Sequence, residues 1–267
     1  MAVVHPSAAV DPAAHLDDGV EIGPCCVVEA GAVIGAGTKL MSHVVLRGQV
    51  RIGTGNVFHP HCTVGGEPQD FGYRGEPTWV AIGDRNVFRE GCTVHRATVK
   101  EHGVTAIGSD GYFMCGSHFA HDTRVGDHVT MANNVMLGGH VHVGDCVTLS
   151  GGVGAHQFVR IGSHAFIGAM TKLTVDVPPF MLVDGHPAEV ICPNAVGLRR
   201  RGFTTRELHC LQATHRLLYR QKATAAEAVE TLKNTEQWCA PVAELFEFLE
   251  ARNGGRQGRG REGRRAA

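Results

Sequence analysis

The sequence predicts an all-β solenoid followed by a small α domain, and three observations carry that prediction. An apolar residue recurs at every sixth position through most of the chain. Glycine is abundant, at 35 of 267 residues, while aromatics make up only 6%, which fits many tight turns and narrow layers better than one bulky core. Both features end near Pro178 and Pro179, where helical spacing takes over.

The solenoid comes first. In sixes from Val4 the chain reads VHPSAA, VDPAAH, LDDGVE, IGPCCV, VEAGAV, IGAGTK, LMSHVV, LRGQVR, IGTGNV and FHPHCT, with Val64 opening the next. The period resumes at Ile82, Phe88 and Val94. With its phase moved by one residue it starts again at Ile107 and runs through Phe113, Phe119, Val125, Met131, Leu137, Val143, Leu149, Ala155, Ile161 and Ile167 to Leu173. Helices repeat near 3.6 and strands near 2, so neither alone explains a period of six. Short strands bent at regular corners do. Three hexapeptides close a triangular coil of about eighteen residues whose first positions point inward and whose small residues fill the corners. Coils stack about 4.8 Å apart, so residues eighteen positions apart share a column.

Two segments interrupt the period. In residues 65–81, GGEPQDFGYRGEPTWVA, an unbroken phase would drive Asp70 and Glu76 into the core at a cost of several kcal/mol per unpaired charge. The chain is therefore expected to loop out there, and again at 96–106, RATVKEHGVTA. Long loops on a rigid solenoid are where function is expected. The solenoid is expected to fill residues 1–189. A helical domain at 190–252 follows: ThrThrArgGlu at 204–207 and ThrAlaAlaGlu at 224–227 fit capping boxes, and Leu208, Leu211, His215 and Leu218, like Val242, Leu245 and Leu249, keep helical spacing. The last segment, 253–267, is basic and polar and is expected to be disordered.

Charge is balanced, with 25 basic against 26 acidic residues, so nothing in the total points to nucleic acid or a membrane surface. No apolar run approaches the roughly 20 residues of a spanning helix, and MAVVHPSAAV lacks the regions of a signal peptide, so a cytoplasmic location is expected. The nine cysteines include no CxxC pair and read as buried free thiols.

The stretch SHFAHDTRVG places His118, His121 and Asp122 close together. Eighteen residues beyond His121 is Gly139, and eighteen further is Gln157; His140 and His156 sit one residue to the side. These groups are expected in one patch spanning on the order of 10 Å. A neutral imidazole takes a proton from a hydroxyl near neutral pH, with a reference pKa of about 6.5. Asp122 is placed to fix its tautomer, and Gly139 to present a bare N–H to a developing oxyanion. One histidine among 17 would read as a solvated corner residue; the shared column points to acyl transfer. A zinc lyase of the carbonic anhydrase type is a competing reading, but its His-x4-His spacing is absent, and no metal or other cofactor is expected. A solenoid that only presents a binding face is a third.

The stretches PQDFGYRGEPT, IGDRNVFREGCTVHRAT, HFAHDTRVG, MANNVMLGGHV, AHQF, DVPPF and GLRRRGF together resemble the UDP-N-acetylglucosamine acyltransferase family of hexapeptide-repeat enzymes, over nearly the whole chain. The resemblance implies a left-handed parallel β-helix with a helical C-terminal domain and a homotrimer with sites between subunits. It also implies transfer of a (3R)-3-hydroxyacyl group from acyl carrier protein to the sugar 3-hydroxyl of UDP-N-acetylglucosamine, in lipid A biosynthesis. By motif, His121 is the base, Asp122 its orienting partner and Gly139 the oxyanion contact. His118, His140, His156 and Gln157 line the sugar and acyl path, Gln69 and Asp70 reach in from the first loop, and Asn194, Arg200 and Arg201 contact nucleotide or carrier phosphates.

Three positions depart from the family pattern. Gly72 stands where a lysine is common, so either one substrate contact is missing or nearby Arg74 replaces it. Val196 stands where an acidic residue often faces the nucleotide. These two leave N-acylation of a 3-amino sugar open as an alternative. Ala169 occupies the position that sets acyl length, where its methyl group is expected to shorten the preferred chain relative to glycine. The related N-acyltransferase of the pathway carries an extra N-terminal domain, which is not expected here.

Overall fold

The computed structural model of the protein describes residues 1–253, so the expected basic tail, 253–267, lies outside the described residues except for Asn253, which ends the last helix. Short parallel strands, most of two residues, wind into a left-handed β-helix of triangular section. Its first face stacks eleven strands, its second nine and its third eight. The column rule holds along the stack: Phe113 pairs with Met131 and Met131 with Leu149 on the first face, Phe119 with Leu137 on the second, and Val125 with Val143 on the third.

The hexad positions point inward as the pattern requires. Ile22, Val28, Ile34, Leu40, Leu46, Ile52, Phe58 and Val64 are all buried, and each such side chain is worth about 1.5–3 kcal/mol over an exposed one. Where the excursions leave the coil, aromatic rings thicken the core. Phe58 stacks on Phe88 at 4.7 Å, Phe88 tilts over Phe113 at 4.8 Å, and Phe113 meets Phe119 edge-on at 5.0 Å. Corners require left-handed backbone, and many are not glycine: Asp122, His140 and Phe158, one above another at the corner between the second and third faces, have φ of 61°, 61° and 66°.

Both excursions are shorter than the sequence breaks imply. Strands Thr63–Gly66 and Trp79–Ile82 confine the first to 67–78, and Thr93–His95 and Val104–Ile107 confine the second to 96–103. Pairing wins at their ends because Trp79, Val80, Ala81 and Ile82 lie in register with Val104, Thr105, Ala106 and Ile107.

The expected helical start at 190 falls inside a strand. Glu189–Pro193 turns back antiparallel on Met181–Asp184 and closes the first face. Helices follow as α1 (Ala195–Arg200), α2 (Thr205–His215, continued by a π-turn at Arg216–Arg220), α3 (Ala225–Asn234) and α4 (Ala240–Asn253). Both capping boxes form, Thr204 with Glu207 and Thr224 with Glu227. Leu208, Leu211, Val242, Leu245 and Leu249 make a second apolar cluster with Phe180 and Met181, which fixes the helices to the end of the solenoid. Among the described residues no helix is long and apolar enough to cross a membrane.

Candidate active site

His121 and Asp122 form the corner between strands His118–Phe119 and Arg124–Val125. The left-handed conformation at Asp122 swings its carboxylate under the neighbouring imidazole, where Oδ2 accepts from His121 Nδ1 at 2.8 Å. Oδ2 also accepts from the N–H and hydroxyl of Thr98, at 3.0 and 2.8 Å. Burial alone pushes the Asp122 carboxyl up, but the hydrogen bonds from His121 and Thr98 outweigh it and leave it below the ordinary aspartate value. Asp122 thus stays ionised and fixes both the ring and the second excursion.

Gly139 lies one coil away, against the ring. A β-carbon there would sit 2.6 Å from His121 Cε1 and 2.7 Å from Nε2, so only glycine leaves the imidazole its place. The flanking N–H groups of Gly138 and His140 bond to the carbonyls of Ala155 and His121, whereas no hydrogen bond among the described residues takes up the Gly139 N–H. A basic nitrogen and a bare donor therefore share one opening.

His140 packs edge-on to His121, with centroids 5.2 Å apart, and stacks on Phe158 at 4.5 Å. Its Nε2 is 3.8 Å from Asp122 Oδ2 and its Nδ1 3.4 Å from Glu101. Burial lowers its pKa against the pull of both acids, so it is neutral near pH 7. His118 bonds Thr93 Oγ1 through Nδ1 at 2.8 Å, and burial, with His95 nearby, pulls its pKa to about 4. Among the described residues, His121, Asp122 and His140 are the one group of three whose ligand atoms, all within 4.8 Å of one another, could hold a metal ion.

Two cavities meet at Gln69, His121 and Gln157. One, of about 600 Å³, is lined by Gln69, Asp70, Phe71, Lys100, Glu101, His140 and Phe158. The other, about 570 Å³, runs along the second face past His118, Gly139 and His156. The structure thus brings together His118, His121, Asp122, Gly139, His140, His156, Gln157, Gln69 and Asp70. It does not bring Asn194, Arg200 and Arg201 to them within one chain. Those three line a separate cavity of about 610 Å³ with Val196 and His164, at the corner between the third and first faces. Asn194 there caps α1, accepting from the Gly197 N–H at 3.1 Å. Ala169 is exposed at the corner between the first and second faces, outside all three cavities.

Arg74 does not take the place of a lysine at 72. Its guanidinium turns back on the carbonyls of Phe71 and Tyr73, at 2.7 and 3.0 Å. Sequence reasoning missed Thr98, Lys100, Glu101 and Phe158. Phe158 was findable, one column step from His140; the others belong to the second excursion, whose period is broken.

Stacked hexapeptide coils with a histidine–carboxylate pair beside a bare backbone donor define a hexapeptide-repeat acyltransferase. Residues 31–66 match the family described as bacterial transferase hexapeptide, and residues 176–260 match the UDP-N-acetylglucosamine O-acyltransferase domain 2 family. The acyl-carrier-protein UDP-N-acetylglucosamine O-acyltransferase of Leptothrix cholodnii is 45% identical over 93% of this chain and 97% of its own length. That of Stutzerimonas stutzeri is 40% identical over 94% and 97%. The structure of the Francisella novicida UDP-N-acetylglucosamine acyltransferase superposes with a TM-score of 0.87 at 36% identity, covering 92% of this chain and 90% of that one. The Moraxella catarrhalis enzyme gives 0.86 at 36%, covering 91% and 95%. The chain belongs to the UDP-N-acetylglucosamine O-acyltransferase family.

Proposed function

We propose that the chain moves a (3R)-3-hydroxyacyl group from an acyl carrier protein thioester to the 3-hydroxyl of UDP-N-acetylglucosamine, the acyl-transfer step that opens lipid A biosynthesis. The observation that carries the reading is the pairing of His121 Nδ1 with Asp122 at 2.8 Å over the unpaired Gly139 N–H. With Nδ1–H held by the carboxylate, Nε2 keeps its lone pair toward the cavity. It takes the proton of the sugar hydroxyl as that oxygen attacks the thioester carbonyl. The Gly139 N–H donates to the tetrahedral oxyanion, a contribution of roughly 3–4 kcal/mol in comparable sites. Collapse breaks the carbon–sulfur bond, and the imidazolium returns its proton to the departing thiolate.

Asn194, Arg200 and Arg201 sit at another corner, so in this reading they reach the phosphates of nucleotide or carrier from a neighbouring copy in a homotrimer. Nine free cysteines fit a reducing compartment, the cytoplasm. His121→Ala is expected to leave the assembly intact while lowering transfer roughly 10²- to 10⁴-fold, read as ester product by mass analysis. Full turnover in that variant removes His121 as the base.

A further inference from the structure

Gly72 and Lys100 approach one space from two loops. Both Asp70 carboxylate oxygens are engaged: Oδ1 accepts from the Gly72 N–H at 2.6 Å, and Oδ2 from the Lys100 ammonium at 2.5 Å. The same Oδ2 lies 4.0 Å from His121 Nε2. A β-carbon on Gly72 would begin 2.9 Å from Asp70 Oδ1 and 3.6 Å from Lys100 Nζ, so a side chain there would enter the space the lysine end fills. Position 72 is not in the left-handed region; glycine there leaves room for the neighbour. An ammonium has three donors, and the Asp70 contact uses one. The Lys100 side chain is about half exposed, and among the described residues Lys100 is the one lysine or arginine lining the cavity of about 600 Å³ that it shares with His121.

We propose that Lys100 is the cation of the acceptor subsite, holding Asp70 turned toward His121 and offering its remaining donors to oxygens of the bound nucleotide sugar. This rests on the acyl-transfer reading of the site, and the test separates the two. UDP-N-acetylglucosamine binding is measured by calorimetry beside steady-state transfer, for the wild type, Lys100→Met, Lys100→Arg and the double variant Lys100→Met with Gly72→Lys.

Lys100→Met is expected to weaken nucleotide-sugar binding, and to raise its KM, roughly tenfold to a hundredfold. The KM for the acyl donor and the melting temperature stay unchanged, and both Lys100→Arg and the double variant recover most of the loss. Unchanged nucleotide-sugar affinity in Lys100→Met overturns the proposal. So does a loss that neither the arginine nor the relocated lysine repairs, because that would mark the residue as a strut between loops. A wild type that binds the sugar nucleotide without transfer overturns the acyl-transfer reading, and the binding series still decides on Lys100. One that neither binds nor transfers overturns both.

Discussion

His121 keeps its position because residue 139 has no side chain. An added methyl group would lie 2.6 Å from Cε1, so Gly139→Ala is expected to turn the imidazole off the Asp122 axis and cover the adjacent N–H. Turnover should fall roughly a hundredfold or more, with a melting temperature close to that of the wild type; a fully active alanine variant would mean that neither ring position nor backbone donor matters. The repeat made this pair legible, since eighteen residues lead from His121 to Gly139 and on to Gln157. It could not show which way the Asp122 carboxylate turns, because that follows from a left-handed φ and from Thr98, a residue outside the period. Nor does it disclose that burial beside His95 holds His118 neutral.

At the scale of elements, the two excursions matter most. The first was readable from charges out of phase and the second from the break in the period, but the residues they deliver were not, because loop positions are fixed by tertiary hydrogen bonds and not by a period. The second excursion hangs on Asp122 through Thr98, and Arg96 reaches Tyr73 of the first at 3.2 Å. Thr98→Val removes one donor to a buried carboxylate and is expected to cost about 1.5–3 kcal/mol in denaturant unfolding. Transfer should fall with it, since Lys100 and Glu101 ride on the same segment; unchanged stability and rate would show that the loop is held elsewhere. The helices were easier to read. Their capping boxes depend on residues three apart, a local signal, whereas most of the strand Glu189–Pro193 was assigned to the helical domain because its pairing with Met181–Asp184 is a tertiary fact.

At the scale of the whole molecule the solenoid is a triangular prism capped by helices, and the winding was the most legible part, since a strict six-residue period admits few others. Less legible was the distribution of chemistry around it. His121 stands at the corner between the second and third faces, and Arg200 and Arg201 at the corner between the third and first. Mixing His121→Ala chains with Arg201→Ala chains, each inactive alone, should therefore restore transfer in the proposed trimers. In random 1:1 assemblies about a quarter of the interfaces would join an intact histidine to an intact arginine; a mixture as dead as its parents would place both roles within one chain. A subunit crippled on one edge would still lend its other edge to a neighbour, so damage in a mixed population would be shared out instead of inherited whole.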